Sequence, residues 1–128
     1  MEDKFLNVEM PIRVTGEDVD DIMAGALDGG ISYWCDNVEV LGRYLGEYAS
    51  EQISRGEKLI LHDVESEKDY CLGLQSVLNG IELWAKNSVG NNCLIQKDGK
   101  LMIDCCNADE IVCDAIIQYA IFGEVIYS

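Results

Sequence analysis

The chain has 128 residues, 48 % of them apolar, and sets 24 Asp and Glu against 9 Lys and Arg for a formal net charge of −15. That length and apolar content suit one folded domain with its own core and exclude a disordered acidic tail. The charge repels polyanions, so no direct contact with nucleic acid or an anionic membrane surface is expected, and a basic protein surface is the matching partner.

The start, Met1-Glu-Asp-Lys-Phe, has no basic region leading into an apolar one, so no signal peptide is read there. Residues 8–14 predict a short strand, placed at a sheet edge by Pro11. Thr15 and Asp18 form a capping box ahead of Val19, Ile22, Met23, Ala26 and Leu27, an apolar stripe at helical spacing that Gly29-Gly30 stops. Residues 31–41 read as strand or irregular, and residues 44–54 as a second helix. Residues 58–63 and 69–72 predict a hairpin around the charged loop 64–68. A third helix follows over 74–86, with Leu74, Val77, Leu78, Ile81 and Trp84 on one side.

Asp98-Gly99 between two apolar runs signals a second hairpin. Asn107 and Glu110 then read as the capping box of a last helix over 108–122 that is apolar nearly all round, a pattern that calls for burial on most sides. Val125 to Tyr127 read as a returning strand. The expected fold is a single α+β domain over residues 1–128, with about four helices packed on short antiparallel strands and hairpins and the C-terminal helix central. No apolar run approaches the roughly 20 residues of a membrane span. The six cysteines, mostly within apolar stretches, read as free thiols in a reducing cytoplasm. A monomer is favoured over a homodimer, because acidic copies repel each other.

No constellation of catalytic or metal-binding residues stands out, so no enzyme activity and no cofactor or metal is expected. His62 is the single imidazole, the cysteines lack C-x-x-C pairs, and Gly29-Gly30 belongs to no phosphate-binding motif. Acids at helix starts are explained by the helix dipole, which accounts for Glu17, Asp18, Asp109 and Glu110. Asp20 and Asp21, and Glu65, Glu67 and Asp69 at the hairpin tip, are not explained that way and are the candidate protein-binding residues. Asp104 and Asp114 also fall within an acidic group around the last helix. The alternative is a small-molecule or nucleotide pocket lined by Trp34, Arg43, Tyr48 and His62, where aromatic stacking joins a guanidinium. The plain alternative is an acidic surface that only keeps the protein in solution.

Three stretches, Val19-Asp-Asp-Ile-Met through Gly29-Gly-Ile-Ser-Tyr-Trp-Cys, Tyr44-Leu-Gly-Glu-Tyr-Ala-Ser-Glu-Gln-Ile-Ser-Arg-Gly and Ile116-Ile-Gln-Tyr-Ala-Ile-Phe-Gly-Glu-Val, resemble a group of small acidic proteins of gut Firmicutes and their phages and prophages. The resemblance runs from about residue 12 onward and carries no catalytic or binding residues with it. It implies an accessory protein of a mobile element in a bacterial cytoplasm. By analogy with other small acidic phage-linked proteins, the expected role is an inhibitor of a host nucleic-acid-handling protein, such as a CRISPR effector.

Overall fold

Thr15 starts the first helix through a reciprocal cap. Its backbone N–H donates to Asp18 Oδ2 at 2.9 Å, and Asp18 N–H donates to Thr15 Oγ1 at 3.1 Å. The helix α1 runs Gly16–Gly25 and buries Val19, Ile22 and Met23. It then widens into one π turn, Ala26–Gly30, and Ile31 N–H closes that turn on the Ala26 carbonyl at 3.0 Å. The computed structural model describes residues 12–87, 94–97, 100–103 and 109–128.

Two three-stranded sheets follow from the strand-forming runs. In the first, β2 (Cys35–Leu41), β3 (Lys58–Asp63) and β4 (Lys68–Leu72) lie antiparallel in the order β2-β3-β4. Alternation along β3 and β4 turns Leu59, Leu61, Asp63 and Leu72 inward, and leaves Lys58 and Asp69 exposed and His62 half-buried on the other face. In the second sheet, β5 (Leu94–Lys97) and β6 (Lys100–Ile103) form the expected hairpin, closed by the Lys97–Lys100 pair, and β1 (Ile12–Arg13) runs parallel to β6.

The helices α2 (Leu74–Lys86) and α3 (Glu110–Phe122) pack against each other. Gly80 sets how closely. A methyl group there would come within 2.5 Å of the Ile116 carbonyl and 2.9 Å of Ala120 Cβ. Ile116, Ile117 and Gln118 of α3 are fully buried, and α3 also meets α1, the π turn and β4. One contiguous core joins α1, Trp34, the inner face of the β2-β3-β4 sheet, α2 and α3, so the described residues form a single α+β domain.

Four expectations need correction. Among the described residues there are three α-helices, not about four, because residues 44–54 do not form one. Only a 3₁₀ turn, Ala49–Glu51, forms there, since side chains take the backbone partners that a helix would use. Gln52 Oε1 accepts from Leu45 N–H at 2.8 Å, and Gln52 Nε2 donates to the Tyr48 carbonyl at 3.1 Å. Glu51 Oε1 accepts from the N–H groups of Glu47 and Tyr48 at 2.7 and 3.0 Å. These backbone bonds, reinforced by Arg55, hold the Glu51 carboxyl below its ordinary pKa.

The second correction is the start of α3: its cap is Asp109, whose Oδ1 accepts from Val112 N–H at 3.0 Å, while Asn107 lies outside the described residues. Third, residues 125–127 form no strand, because the N–H groups of Ile126 and Tyr127 bond a glutamine side chain instead. The fourth concerns Asp114, which is no surface acid but only 8 % exposed. Of the cysteines, Cys35 and Cys71 are free thiols, Cys113 is buried on α3, and Cys93, Cys105 and Cys106 lie outside the described residues. So do Pro11 and Asp104.

Candidate functional site

Two polar side chains interrupt the apolar surface of α3, Asp114 and Gln118, one helical turn apart and both buried. Asp114 Oδ1 accepts from the Trp34 indole N–H at 2.8 Å and from Gln118 Nε2 at 2.9 Å, and its Oδ2 accepts from the Tyr33 hydroxyl at 2.6 Å. Gln118 Oε1 accepts from the backbone N–H groups of Ile126 and Tyr127, each at 2.9 Å, and its amide donates back to the Tyr127 carbonyl at 3.1 Å. One glutamine therefore fixes the C-terminal segment onto α3. That segment places the Tyr127 ring against Trp34 and Phe122, with centroids 5.7 and 5.8 Å away.

From there the network reaches the hairpin. The Tyr127 hydroxyl donates to Asp63 Oδ2 at 2.8 Å, and Asp63 Oδ1 accepts from the N–H groups of Glu65 and Ser66 at 2.9 and 3.3 Å. Burial alone would raise the Asp63 pKa; the bonds from Tyr127 and from the loop outweigh it and hold the carboxyl below its ordinary range. The Tyr127 hydroxyl is pushed up to about 12, first by its bond to Asp63 and then by burial. The Tyr33 hydroxyl is likewise pushed up to about 12, by burial and then by Asp114. Both phenols stay protonated donors at neutral pH.

The turn after β3 is thus held from inside. Val64 N–H donates to the Trp34 carbonyl and Glu67 N–H to the Asp63 carbonyl, each at 2.8 Å, with Glu67 in the left-handed region at φ 60°. Glu65 and Glu67 are exposed on this fixed turn, Asp69 is exposed at the start of β4 that leaves it, and Asp36 is exposed at the neighbouring end of β2. Two basic groups stand among them, exposed Lys68 and His62, whose Nδ1 lies 2.7 Å from Asp69 Oδ1 and whose Nε2 lies 4.0 Å from Asp36 Oδ1. The bond to Asp69, with the charges of Asp36, Asp69 and Glu67, raises the His62 pKa above its ordinary value against a smaller opposing effect of desolvation.

The other candidates fall elsewhere. Asp20 is half-buried and accepts from the Ser54 hydroxyl at 2.5 Å, tying α1 to the turn after Ala49–Glu51; its neighbour Asp21 is exposed. Trp34 is fully buried, with its N–H on Asp114. Arg43 and Tyr48 are exposed on the segment after Leu41, the end of β2 that pairs with Lys58. His62 pairs near the other end, opposite Asn37. Four residues along a strand, at about 3.3 Å each, separate those two positions. The four candidate ligand residues are not brought together.

The sequence reading missed Asp63, Gln118 and Tyr127. A signal for the first existed: an Asp closing a strand just before a polar loop is a common side-chain cap for the turn that follows. The i, i+4 spacing of Asp114 and Gln118 within an apolar helix was a signal for the second.

A cleft of about 510 Å³ lies away from the hairpin, between the π turn and the first turns of α3. Gly29, Gly30, Tyr33, Glu110, Ile111 and Asp114 line it. Among the described residues no group of three or more His, Cys, Asp and Glu is placed to hold a metal ion, and no helix is long and apolar enough to cross a membrane. No protein-family model matches the chain, and neither a curated protein nor a solved structure matches it.

Proposed function

We propose that this protein is a non-enzymatic binding module that covers the basic surface of a nucleic-acid-handling protein in a bacterial host and so inhibits it. The observation that carries this reading is the hairpin end, where Glu65 and Glu67 stand exposed on a turn that Asp63 and Tyr127 lock from beneath, and Asp69 stands exposed at the start of β4 beside it. A solubilising surface needs charge but no fixed geometry, whereas recognition gains when the charges are held in place before binding. The resemblance to phage-linked acidic proteins supports the bacterial setting, and the net charge of −15 supports a basic partner.

The test is capture from bacterial lysate on the immobilised chain at low and high salt, alongside a Glu65→Gln/Glu67→Gln/Asp69→Asn variant. The expected result is a basic protein retained at low salt, released at high salt, lost with the variant, and unable to bind its own nucleic acid while held. Retention that is equal for the variant, or a captured protein whose nucleic-acid binding is unaffected, would overturn the reading.

A further inference from the structure

The cleft beside α3 is open to solvent, and its walls are chemically uneven. One wall is apolar: Ile111 is 77 % exposed although it sits in the first turn of α3. Tyr33 is 48 % exposed, and its hydroxyl is already committed to Asp114, so its ring is oriented and offers the cleft an aromatic surface. Glu110 and Asp114 supply the anionic part of the lining, and Gly29, Gly30 and Ser128 complete it. The Glu110 carboxylate lies against the Gly29 backbone, where an added methyl group would meet Glu110 Oε1 at 2.9 Å. Asp114 sits deeper, and its three hydrogen bonds come from an indole, a phenol and an amide, all neutral donors.

A buried carboxylate bonded only by neutral donors has its lone pairs satisfied but its charge unpaired. The positive end of α3 offsets only about half a charge, while Asp109, Glu110 and Asp114 in its first turns bring three negative ones. Among the described residues no Lys, Arg or His lies within ion-pair distance of either Asp114 or Glu110. The cleft is therefore complementary to a group that is cationic, flat enough to lie on an aromatic ring, and carried on an apolar stem. Its volume of about 510 Å³ falls within the range of roughly 300–1,000 Å³ usual for ligand clefts.

We propose that this cleft receives an arginine side chain presented by the protein's basic partner, with the guanidinium between Glu110 and the Tyr33 ring and the stem along Ile111. Arginine fits better than lysine because its guanidinium is planar, more weakly hydrated and able to stack while it bonds a carboxylate. The proposal rests on the reading of the protein as a binder of basic surfaces, and it adds a second point of contact distinct from the hairpin end. Gly29 and Gly30 are part of the design: a methyl group at Gly30 would come within 2.8 Å of the Glu110 carbonyl, so larger residues would force the turn away from α3 and spoil the cleft.

The test uses the full chain labelled with nitrogen-15, titrated with a short, otherwise uncharged peptide carrying one arginine, and with the same peptide carrying citrulline, the neutral analogue of arginine. The expected result is saturable shifts of the Gly29, Gly30, Tyr33 and Ile111 amides with the arginine peptide, and about tenfold weaker binding of the citrulline peptide. Glu110→Gln should weaken arginine binding several-fold, since Glu110 is exposed and Asp109 still caps the helix, while Glu65→Gln should leave it unchanged. Equal binding of citrulline, or no loss in Glu110→Gln, would overturn the proposal. Arginine-dependent shifts confined to the Glu65–Asp69 turn would overturn the cleft and leave the broader reading standing. Shifts at neither place would count against both.

Discussion

Asp63 and Glu65 are two residues apart, yet they work in opposite environments. Asp63 is fully buried and takes bonds from Tyr127, Glu65 and Ser66; Glu65 is exposed and offers only its backbone to the fold. The same contrast separates Asp114, enclosed by Trp34, Tyr33 and Gln118, from Asp21 and Asp36 on the surface. A buried carboxylate is tolerated only where donors surround it, and once surrounded it organises whatever supplied them. Here the donors come from segments distant in sequence, so the interior acids join the C-terminal segment to the hairpin, and the exterior acids inherit a fixed position. Net charge alone does not distinguish the two sets.

The largest expected effect probes the interior and the oligomeric state together. Ile117 is fully buried within one chain, so Ile117→Glu places an unpaired charge in the core, at a cost of about 3–5 kcal/mol. The variant is expected to unfold, read as loss of the near-ultraviolet circular dichroism of Trp34. A variant that stays folded and halves its mass in light scattering would show instead that this face is an interface between copies.

Gln118→Leu should rank next. It removes the acceptor of two backbone N–H groups and one donor to Asp114, for a loss of about 3 kcal/mol in urea unfolding. If the fold is indifferent to this change, Gln118 does not hold the C-terminal segment, and the contrast between interior and exterior collapses.

Asp63→Asn should cost about 2 kcal/mol at neutral pH, because it gives up a charge-assisted bond and loosens the turn. The sign of its pH dependence follows from the lowered pKa of Asp63. A carboxyl held below its unfolded value stabilises the protein above that value, near 3.8, and the stabilisation is lost as pH falls through the lower folded value. Thermal melts from neutral to acid pH should therefore show the variant's deficit shrinking at the acid end. A deficit that stays constant across that range would mean the charge of Asp63 is not what the turn requires.

How much of this was legible in the sequence varies by region. The helix α1 was written in Thr15, Asp18 and the stripe from Val19 to Ala26, because local capping and periodicity decide it. The hairpin from β3 to β4 was equally plain from its alternation. Residues 44–54 misled because Leu45, Tyr48, Ala49 and Ile53 have helical spacing, while the decisive bonds run from Gln52 and Glu51 side chains to the backbone, which periodicity does not record. The network of Asp63, Tyr127, Gln118 and Asp114 was hidden for a different reason. Its members come from β3, the C-terminal segment and α3, and only tertiary packing makes them neighbours. Of the candidate protein-binding acids, Glu65, Glu67 and Asp69 share one hairpin end, whereas Asp20 bonds Ser54 within the fold.

The smallest expected effect on stability carries the largest consequence for function. The Glu65→Gln/Glu67→Gln/Asp69→Asn variant changes only exposed side chains, so its stability should stay within about 0.5 kcal/mol of the parent per site. The most direct measurement is the affinity for the captured basic partner across a salt series, parent against variant, with melting temperature recorded on the same samples. The account predicts an unchanged melt, a weakened association and a shallower salt dependence in the variant, since charges screened over about 8–10 Å at physiological ionic strength would have been removed from the interface. An unchanged melt with unchanged affinity and salt dependence would contradict it, and would leave the hairpin acids as solvated surface alone.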